Sequence, residues 1–513
     1  MKTMSACNFW RPATALGLMV LLAGLTAACR QGPPENAAPV GTLELDNRRQ
    51  LLFDDRLVAS KQGFAITPNQ AVRTERPVIV PETPWEEGGI HVESVLAHDG
   101  LFRLWYRAYG EDRVSRLCYA ASTDGIHWQR PDLGLFEYRG SKQNNIVLLN
   151  IGNVFLDPSA PEERRFKMIC DRGKYAYPSA YDGGARFRYL DPPPATWHYS
   201  GIGGAYSPDG IHWTFTGKES IMPWYTDTMN VAFWDERIRK YVAYVRWNEY
   251  LRVKDGVLRG SFDYRAIARS ESEDFENFPL PEKILEPDFD HPEDEDLWGG
   301  GLYDSAAIQY PFAQDAYFIF PAAFHHGSDT LDIQLGASRD GIRFKRWREP
   351  FVRLGREGSF DSRMLYMGRG MLSMGDELWM YYSGFDQLHD QGKIEDYRSA
   401  IGRVRIRRDG FVSQDAPGSG GTLTTHPFVM TGRSLEVNMD ASSRGWLKVE
   451  ILDREQQPVP GFDEPSADLL YRNDVHQRVT WNGQDDLSSL AGHSIRLRFT
   501  GKSVKLYAFQ FLE

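Results

Sequence analysis

Residues 361–384 have the sequence DSRMLYMGRGMLSMGDELWMYYSG: an acidic residue leads into a short apolar strand, a turn follows, and a second strand is rich in aromatic residues. The same arrangement, with an acidic residue or Asn in the leading position, occurs four more times along the 513-residue chain, at intervals of about 57 to 77 residues. These copies begin at Glu93, Asn153, Asp227 and Asp304. A repeat of this length that is built of strands is typical of a β-propeller, in which each repeat forms one blade. The sequence therefore predicts an all-β fold that contains a five-bladed β-propeller.

A second repeat, with the pattern Ser-x-Asp-Gly, follows the acid-led strands. Its copies are STDGIHW (122–128), SPDGIHW (207–213), SRDGIRF (338–344) and a weaker one at 270–275. Asp-Gly predicts a tight turn between two strands, and the aromatic residue after it is expected to fill the gap between blades. In a four-stranded blade this turn joins the third and fourth strands, on the face away from the central funnel. We therefore interpret Asp124, Asp209 and Asp340 as structural residues.

The remaining strands divide the chain into regions. The propeller pattern covers 45–414, and the segment 49–57 (RQLLFDDRL) is expected to complete the last blade and close the ring. A glycine-rich linker is predicted at 415–421. Clean alternation of apolar and polar residues then predicts a small antiparallel β-sandwich at 422–513.

The N-terminus has the features of an export signal. Lys2 and Arg11 precede an apolar run that ends in Leu-Thr-Ala-Ala-Cys29 and is too short to span a membrane comfortably. This predicts a lipoprotein-type signal peptide at 1–28, lipidation of Cys29 and a flexible tether at 29–44; an ordinary cleaved signal is the alternative. We expect an exported protein, periplasmic or anchored to the outer membrane, that contacts the membrane only through its lipid.

The overall charge argues against one class of partner. The formal net charge is -11, whereas binding to nucleic acid phosphates requires a basic surface. No nucleic-acid partner is therefore expected, and no cofactor or metal-site motif is found. Seven acids within 286–296 (EPDFDHPEDED) are either a solvated loop or a structural calcium site.

The predicted architecture resembles known glycan-acting families. A five-bladed propeller followed by a β-sandwich resembles glycoside hydrolase families 32 and 68, and the propeller alone resembles family 43. The Ser-x-Asp-Gly turns resemble the Asp boxes of sialidases. LLFDDRLV, S-x-D-G-I-H-W and GGTLTTHPFV resemble segments of exported bacterial proteins identified as five-bladed propeller glycosidases. The family 32 hallmarks WMNDPNG, RDP and Glu-Cys are absent, so that family's catalytic residues are not assigned to this chain.

The strand-entry acids are the candidate catalytic residues. Cleavage of a glycosidic bond needs two carboxyl groups that flank the bond, and a crowd of like charges raises the pKa of a general acid. We expect Glu93 and Asp304 to be the catalytic pair, and Asp227 to be a third, modulating acid. Which carboxyl is the acid and which is the base stays open.

Further residues are expected to bind substrate because they lie near these acids or at the funnel ends of the second strands. They are Asp361, Glu357, Arg107, Arg246, His91, His325, Trp85, Trp224 and Trp298. The Trp rings are expected to act as platforms for sugar rings. The two Arg either hold a carboxylate or sulfate of the substrate or neutralise the acids.

These residues predict a glycoside hydrolase-like enzyme that cleaves an extracellular poly- or oligosaccharide by carboxylate acid/base catalysis in the funnel. One alternative is a non-catalytic glycan-binding lipoprotein. Another is a sialidase-like hydrolase, which requires three Arg around a substrate carboxylate and a Tyr nucleophile. Arg107 and Arg246 supply two of these Arg, and the sequence does not identify the third.

Overall fold

The structure is a computed structural model that describes most of the chain after residue 40. The described residues are 41–176, 198–218, 220–222, 224, 229–249, 253–254, 257–258, 264–287, 301–389 and 398–513. Several predicted features lie outside them: the signal peptide, Cys29 and most of the tether, Asp227, Trp298, and most of the acidic segment. Within the described ranges, no helix has the length and apolar character needed to cross a membrane.

The predicted all-β fold is confirmed, because strands dominate and the described helices, Glu162–Arg164 and Ser488–Leu490, are single 3-10 turns. The chain begins with short strands. They are β1 (Leu43–Glu44), β2 (Gln50–Leu51), β3 (Val58–Gln62), β4 (Ala65–Pro68) and β5 (Val72–Arg73).

The next strands form two separate four-stranded sheets, called here unit 1 and unit 2. Unit 1 contains β6 (Ile90–His98), β7 (Leu101–Tyr109), β8 (Ser115–Ser122) and β9 (Ile146–Leu148), in that order. Unit 2 contains β10 (Gly152–Leu156), β11 (Phe166–Ala176), β12 (His198–Ser207) and β13 (Thr214–Phe215). Between β6 and β7, Asp99 and Gly100 have φ angles of 50° and 74°, as a two-residue hairpin turn requires.

A 15-stranded sheet follows in the described part of the chain, and three further units can be distinguished within it. Unit 3 contains β14 (Val231–Asp235), β15 (Lys240–Glu249), β18 (Tyr264–Ser272) and β19 (Glu282–Leu285), with a side hairpin of β16 (Val253–Lys254) and β17 (Val257–Leu258). Unit 4 contains β20 (Gly301–Leu302), β21 (Ile308–Gln309), β22 (Tyr317–Ile319), β23 (Ala322–His325), β24 (Thr330–Ser338) and β25 (Lys345–Val352). Unit 5 contains β26 (Met364–Met367), β27 (Leu372–Met374), β28 (Glu377–Phe385) and β29 (Ser399–Arg407), and its outer strand is β5 from the N-terminus.

Two six-stranded sheets complete the fold. Their C-terminal strands are β30 (Val412–Ala416), β31 (Gly421–Thr425), β32 (Phe428–Val429), β33 (Ser434–Asp440), β34 (Trp446–Asp453), β35 (Asn473–Arg478), β36 (Ser494–Lys502) and β37 (Val504–Leu512). One sheet contains β31, β34 and β36, and the other contains β33, β35 and β37. Apolar residues of both sheets, such as Leu497 and Phe499 of β36 and Phe509 of β37, share one buried cluster.

The strands near both ends of the described chain differ from three of the sequence predictions. The segment 49–57 does not complete the last repeat: β2 pairs with β37, whereas Val72–Arg73 (β5) pairs with β29 of unit 5. The strands β1, β3 and β4 also pair with strands beyond residue 412, although 45–414 was assigned to the propeller. The predicted linker 415–421 begins and ends within strands. Local alternation indicates that a segment is a strand but not which distant strand it joins, so these pairings were not predictable.

The Ser-x-Asp-Gly turns connect neighbouring units. In the three complete turns, the Asp carboxylate accepts hydrogen bonds from the backbone amides two and three residues further along the chain, at 2.8 or 2.9 Å. The glycine carbonyl accepts a hydrogen bond from an aromatic side chain of the adjacent unit. The pairs are Tyr381 with Gly125 (2.7 Å), Trp105 with Gly210 (2.8 Å) and Tyr244 with Gly341 (2.7 Å). The turns therefore hold the units together, as expected for structural residues.

We predict that Gly210→Ala destabilises the protein by about 2–4 kcal/mol. Gly210 has a φ of 78°, and an added Cβ would lie 2.6 Å from Cζ2 of the buried Trp105. Chemical denaturation measures the effect. Gly217→Ala is the matched control, because its Cβ would meet no heavy atom within 4 Å. Equal stability of the two variants would contradict the role assigned to this turn.

Candidate active site

One cavity collects side chains from units 1, 3, 4 and 5. Its volume is about 310 Å³. Its polar lining residues are His91, Arg107, Tyr109, Arg246, Arg265, Tyr303, Asp304, Tyr366, His389 and Ser399. Met364 and Phe385 add apolar surface. Four of the predicted site residues, His91, Arg107, Arg246 and Asp304, are therefore brought together although they are far apart in the sequence.

Glu93 lies directly behind the cavity wall. It is 1% exposed and does not line the cavity, and its Oε1 accepts hydrogen bonds from Nε and Nη2 of Arg107 at 2.9 and 2.7 Å. The β6–β7 register shifts between Val92 and Ser94, which leaves Glu93 as the extra residue of a β-bulge. Bulges re-aim side chains next to functional sites. Here the bulge aims a carboxylate at the Arg107 guanidinium rather than at the cavity.

The charge state of Glu93 is unusual. Burial raises its pKa to about 7, the ion pair with Arg107 opposes this rise, and the charge of Asp304 adds to it. Burial wins because removing a carboxylate from water costs more than one ion pair returns. Glu93 and Asp304, the predicted pair, thus sense each other's charge, but only Asp304 faces the cavity.

His91 is neutral at physiological pH. Burial lowers its pKa to about 3, and the nearby Arg107 charge lowers it further. Its Nδ1 lies 3.0 Å from the Val92 carbonyl oxygen, and its ring lies 5.2 Å from that of Tyr366. His91 is thus an uncharged, partly aromatic part of the wall.

Arg246, Arg265 and Tyr303 form a cluster on the opposite part of the wall. The guanidinium carbon of each Arg lies 4.6 Å from the centre of the Tyr303 ring. Arg246 of β15 faces Ile267 of β18, two residues from Arg265, so both Arg side chains lie on one face as diagonal neighbours. The hydroxyl of Tyr303 lies 3.0 Å from Nε2 of His389. The ring is therefore fixed between its partners.

A glycine permits this arrangement. Gly301 of β20 pairs with Arg265 of β18, and its φ is 157°. A Cβ at this position would lie 2.7 Å from the Arg265 backbone nitrogen. The missing side chain allows the segment that carries Tyr303 and Asp304 to approach β18 closely. Arg265 was not predicted from the sequence because it belongs to no motif and its diagonal position beside Arg246 depends on the strand register.

Two of the three predicted Trp platforms, Trp85 and Trp224, pack against other parts of the protein instead. The Nε1 of Trp85 donates to Asn145 Oδ1 at 2.9 Å, and its ring packs edge-on against Tyr138. Trp224 is 2% exposed, donates to the Arg246 carbonyl at 2.9 Å and stacks on Trp247. Neither ring lines the cavity. Both fill spaces within the β-sheet core, where the large apolar area of Trp is most stabilising.

Three other predicted residues also lie away from the cavity lining. Asp361 is buried, accepts hydrogen bonds from Tyr382 and Ser359 at 2.7 Å, and lies 3.2 Å from Arg73 Nη1. Because Arg73 belongs to β5, this acid fastens the N-terminal strand to unit 5. The other two residues form ion pairs outside the cavity lining: Glu357 pairs with Arg363 at 2.8 Å, and His325 pairs with the buried Asp332 at 2.9 Å.

The described residues contain no metal-binding cluster. No cluster of three or more His, Cys, Asp and Glu side chains in them has an arrangement that could hold a metal ion. Residues 288–296 of the acidic segment lie outside those ranges, so the calcium prediction stays a prediction.

Comparison with known sequences gives one short match. No protein-family model matches the chain. A segment is 33% identical over 93 residues to the 1,2-β-oligomannan phosphorylase of Thermoanaerobacter sp. (strain X514). The match covers 15% of this chain and 31% of that protein, so the chain spans less than a third of the length of this curated relative.

Solved structures with a similar course of the chain include glycan-acting proteins. One belongs to the GH130 family of mannoside phosphorylases, which contains glycoside hydrolases that target β-1,2-mannosidic linkages in Candida mannan (TM-score 0.41, 16% identity, 66% of this chain and 94% of that chain). Another is an N-acetylgalactosamine deacetylase from F. plautii (TM-score 0.41, 14% identity, 67% and 96%). A third is a glycosyl hydrolase from Bacteroides ovatus (TM-score 0.41, 15% identity, 66% and 94%).

The buried carboxyl predicts a distinct pH dependence of stability. The folded-state pKa of Glu93 is raised from 4.5 to about 7, so the folded protein binds this proton more tightly than the unfolded chain. The resulting stability is fully present below pH 4.5 and is lost as the pH rises through about 7, a loss on the order of 3 kcal/mol.

We therefore expect the unfolding free energy of Glu93→Gln to depend less on pH, between pH 5 and pH 7.5, than that of the wild type. Denaturation at several pH values provides the measurement. Glu349→Gln, at an exposed position of β25, should keep the wild-type dependence. If Glu93→Gln retained the wild-type slope, the raised pKa of Glu93 would be wrong.

Proposed function

We propose that this protein cleaves glycosidic bonds of a poly- or oligosaccharide in the cavity, with Asp304 as the residue that exchanges a proton with the glycosidic oxygen. The observation that carries the proposal is the position of Asp304. Among the described residues, Asp304 is the one that places a carboxylate on the cavity lining, although the residue is only 4% exposed. A general acid needs this combination of access to substrate and partial removal from water.

Glu93 acts with Asp304 in this proposal, but through charge rather than through contact with substrate. Its carboxyl holds Arg107 at the wall, and its ionisation is opposed by the negative charge of Asp304. Two coupled carboxyls are what glycoside cleavage requires, although the hydrolytic scheme places both beside the bond. Asp227, the third predicted acid, lies outside the described residues, and its modulating role stays part of the proposal.

Aromatic side chains supply the surface that a sugar ring needs. Tyr109, Tyr366 and Phe385 line the cavity, and Tyr366 packs edge-on against Phe385 with ring centres 5.8 Å apart. The apolar C–H face of a sugar packs against such rings, while its hydroxyls bond to the charged groups. These residues form the platform for a sugar ring that was predicted for Trp85 and Trp224.

The finer architecture is also part of the proposal. We interpret units 1 to 5 as the five blades of a propeller and the two six-stranded sheets as a sandwich that the N-terminal strands join. Contacts between consecutive units support this interpretation. Contacts between the last and first units support it most: Tyr381 of unit 5 donates to Gly125 of unit 1, and Ser383 Oγ accepts from Val92 N at 2.8 Å.

The match to a 1,2-β-oligomannan phosphorylase guides the choice of substrates. β-1,2-linked mannooligosaccharides belong in the first panel, together with aryl glycosides and common polysaccharides. Each assay is run with and without inorganic phosphate, since both free sugar and sugar phosphate report a broken glycosidic bond.

Asp304→Asn is expected to lower kcat/KM on any cleaved substrate by about 10²–10⁴-fold, because the amide cannot donate the proton. The release of sugar ends is the measurement. Asp376→Asn, a change at an exposed turn acid, is the matched control and should leave turnover unchanged. A folded Asp304→Asn variant with more than a tenth of wild-type turnover would remove Asp304 from the mechanism. Binding of glycan without any cleavage by the wild type would favour the glycan-binding alternative.

The proposed location is tested separately. If the chain is a lipoprotein, Cys29→Ser should move it from the membrane fraction to the soluble fraction of expressing bacteria. Cys7→Ser is the control and should leave the protein in the membrane fraction, because this residue is removed with the proposed signal peptide. Membrane association of the Cys29→Ser protein would contradict lipidation at this residue.

A further inference from the structure

We infer that Arg246, Tyr303 and Arg265 form a subsite for an oxyanion within the cavity. The inference deepens the proposed function, on which it rests, because it assigns a chemical class to the ligand that meets this wall. The ligand group is a carboxylate, a sulfate or a phosphate. It belongs either to the sugar itself or to inorganic phosphate that enters the cavity as a second substrate.

The charge of the lining carries the first step. Three Arg side chains line the cavity, and Asp304 is the carboxylate that lines it among the described residues. Glu93 adds a second carboxyl from behind, and it contacts Arg107 at 2.7 and 2.9 Å. Cationic side chains from units 1 and 3 thus face a space of about 310 Å³. Cationic groups that line one cavity attract an anionic ligand.

The geometry of Arg246 and Arg265 carries the second step. Both guanidinium carbons lie 4.6 Å from the centre of the Tyr303 ring, which the contact with His389 holds in place. An aromatic face orients a planar guanidinium and restricts its motion. Planar forks that are held in this way match the paired oxygens of carboxylate, sulfate and phosphate groups. Tyr303 therefore orders two Arg side chains as a pair.

The position of the cluster carries the third step. Asp304 follows Tyr303 directly in the chain, so an oxyanion held by Arg246 and Arg265 lies beside the proposed acid. If the oxyanion belongs to the sugar, it fixes the orientation of the glycosidic bond. If it is phosphate, one of its oxygens bonds to the anomeric carbon as the glycosidic C–O bond breaks, and Asp304 gives its proton to the departing oxygen. Both sources use the same two Arg side chains.

Binding of simple oxyanions is the first measurement. Calorimetry with sulfate, inorganic phosphate and glucuronate is expected to show binding of at least one of them to the full-length protein. Arg265→Gln should weaken this binding at least tenfold, and Arg265→Lys should recover part of it, because the charge returns without the fork. Arg356→Gln, at an exposed position, is the charge-matched control and should bind as the wild type does.

Turnover separates the two sources. If the oxyanion belongs to the sugar, kcat/KM for an aryl uronide should exceed that for the matched neutral glycoside at least tenfold, and Arg265→Gln should lose this preference. Cleavage of a neutral oligosaccharide that needs phosphate, with a raised KM for phosphate in Arg265→Gln, assigns it to phosphate. Thermal unfolding of each variant verifies that it is folded.

The outcomes also separate this inference from the proposed function. Cleavage that depends on Asp304 but is indifferent to all three anions and to Arg265 would overturn the subsite and leave the function standing. Oxyanion binding that depends on Arg265 in a protein that cleaves nothing on the panel would support the subsite and contradict the function. Absence of oxyanion binding in the folded wild type overturns the inference.

Discussion

Hydrogen bonds between neighbouring units are the constraint on which the site depends. On one side, glycine carbonyls of the Ser-x-Asp-Gly turns accept from aromatic side chains of the preceding unit, with unit 5 preceding unit 1. On the other side, the hydroxyls of Ser399 and Ser383 accept from the backbone of β6 at Ile90 and Val92, at 2.7 and 2.8 Å. These last bonds fix the strand segment that carries His91 and Glu93. Buried polar groups of this kind are costly to leave unsatisfied, so the units lock in one register.

The chemistry of the cavity depends on where that scaffold places its charged side chains. The bulge at Glu93 turns one carboxylate away from the cavity and onto Arg107, while Asp304 remains on the lining. Unit 3 contributes two Arg side chains from neighbouring strands on one sheet face, and Gly301 lets Tyr303 approach them. Among the described residues, the result is a wall with cations, the Asp304 carboxylate and aromatic surface. This combination suits a ligand that carries both a sugar ring and an anionic group.

The sequence predicted those parts of the fold and site that depend on periodicity. Strand entries and second-strand ends were expected at a common centre, and His91, Arg107, Arg246 and Asp304 do line one cavity. Burial was harder to predict, because a Trp before a strand looks the same whether it faces solvent or the core. Arg265 was missed because cross-strand register depends on which strands pair. The pairing of β5 with β29 was missed for the same reason, since the strand-like pattern of 49–57 does not indicate which distant strand that segment joins.

A crystal structure with a bound oligosaccharide tests the account most directly, because its central claim is that distant strands build one ligand cavity. The account predicts electron density for sugar between Asp304 and the aromatic wall, with any anionic group at Arg246 and Arg265. Density for sugar at another surface, with this cavity empty or its Arg side chains pointing away from one another, would contradict it.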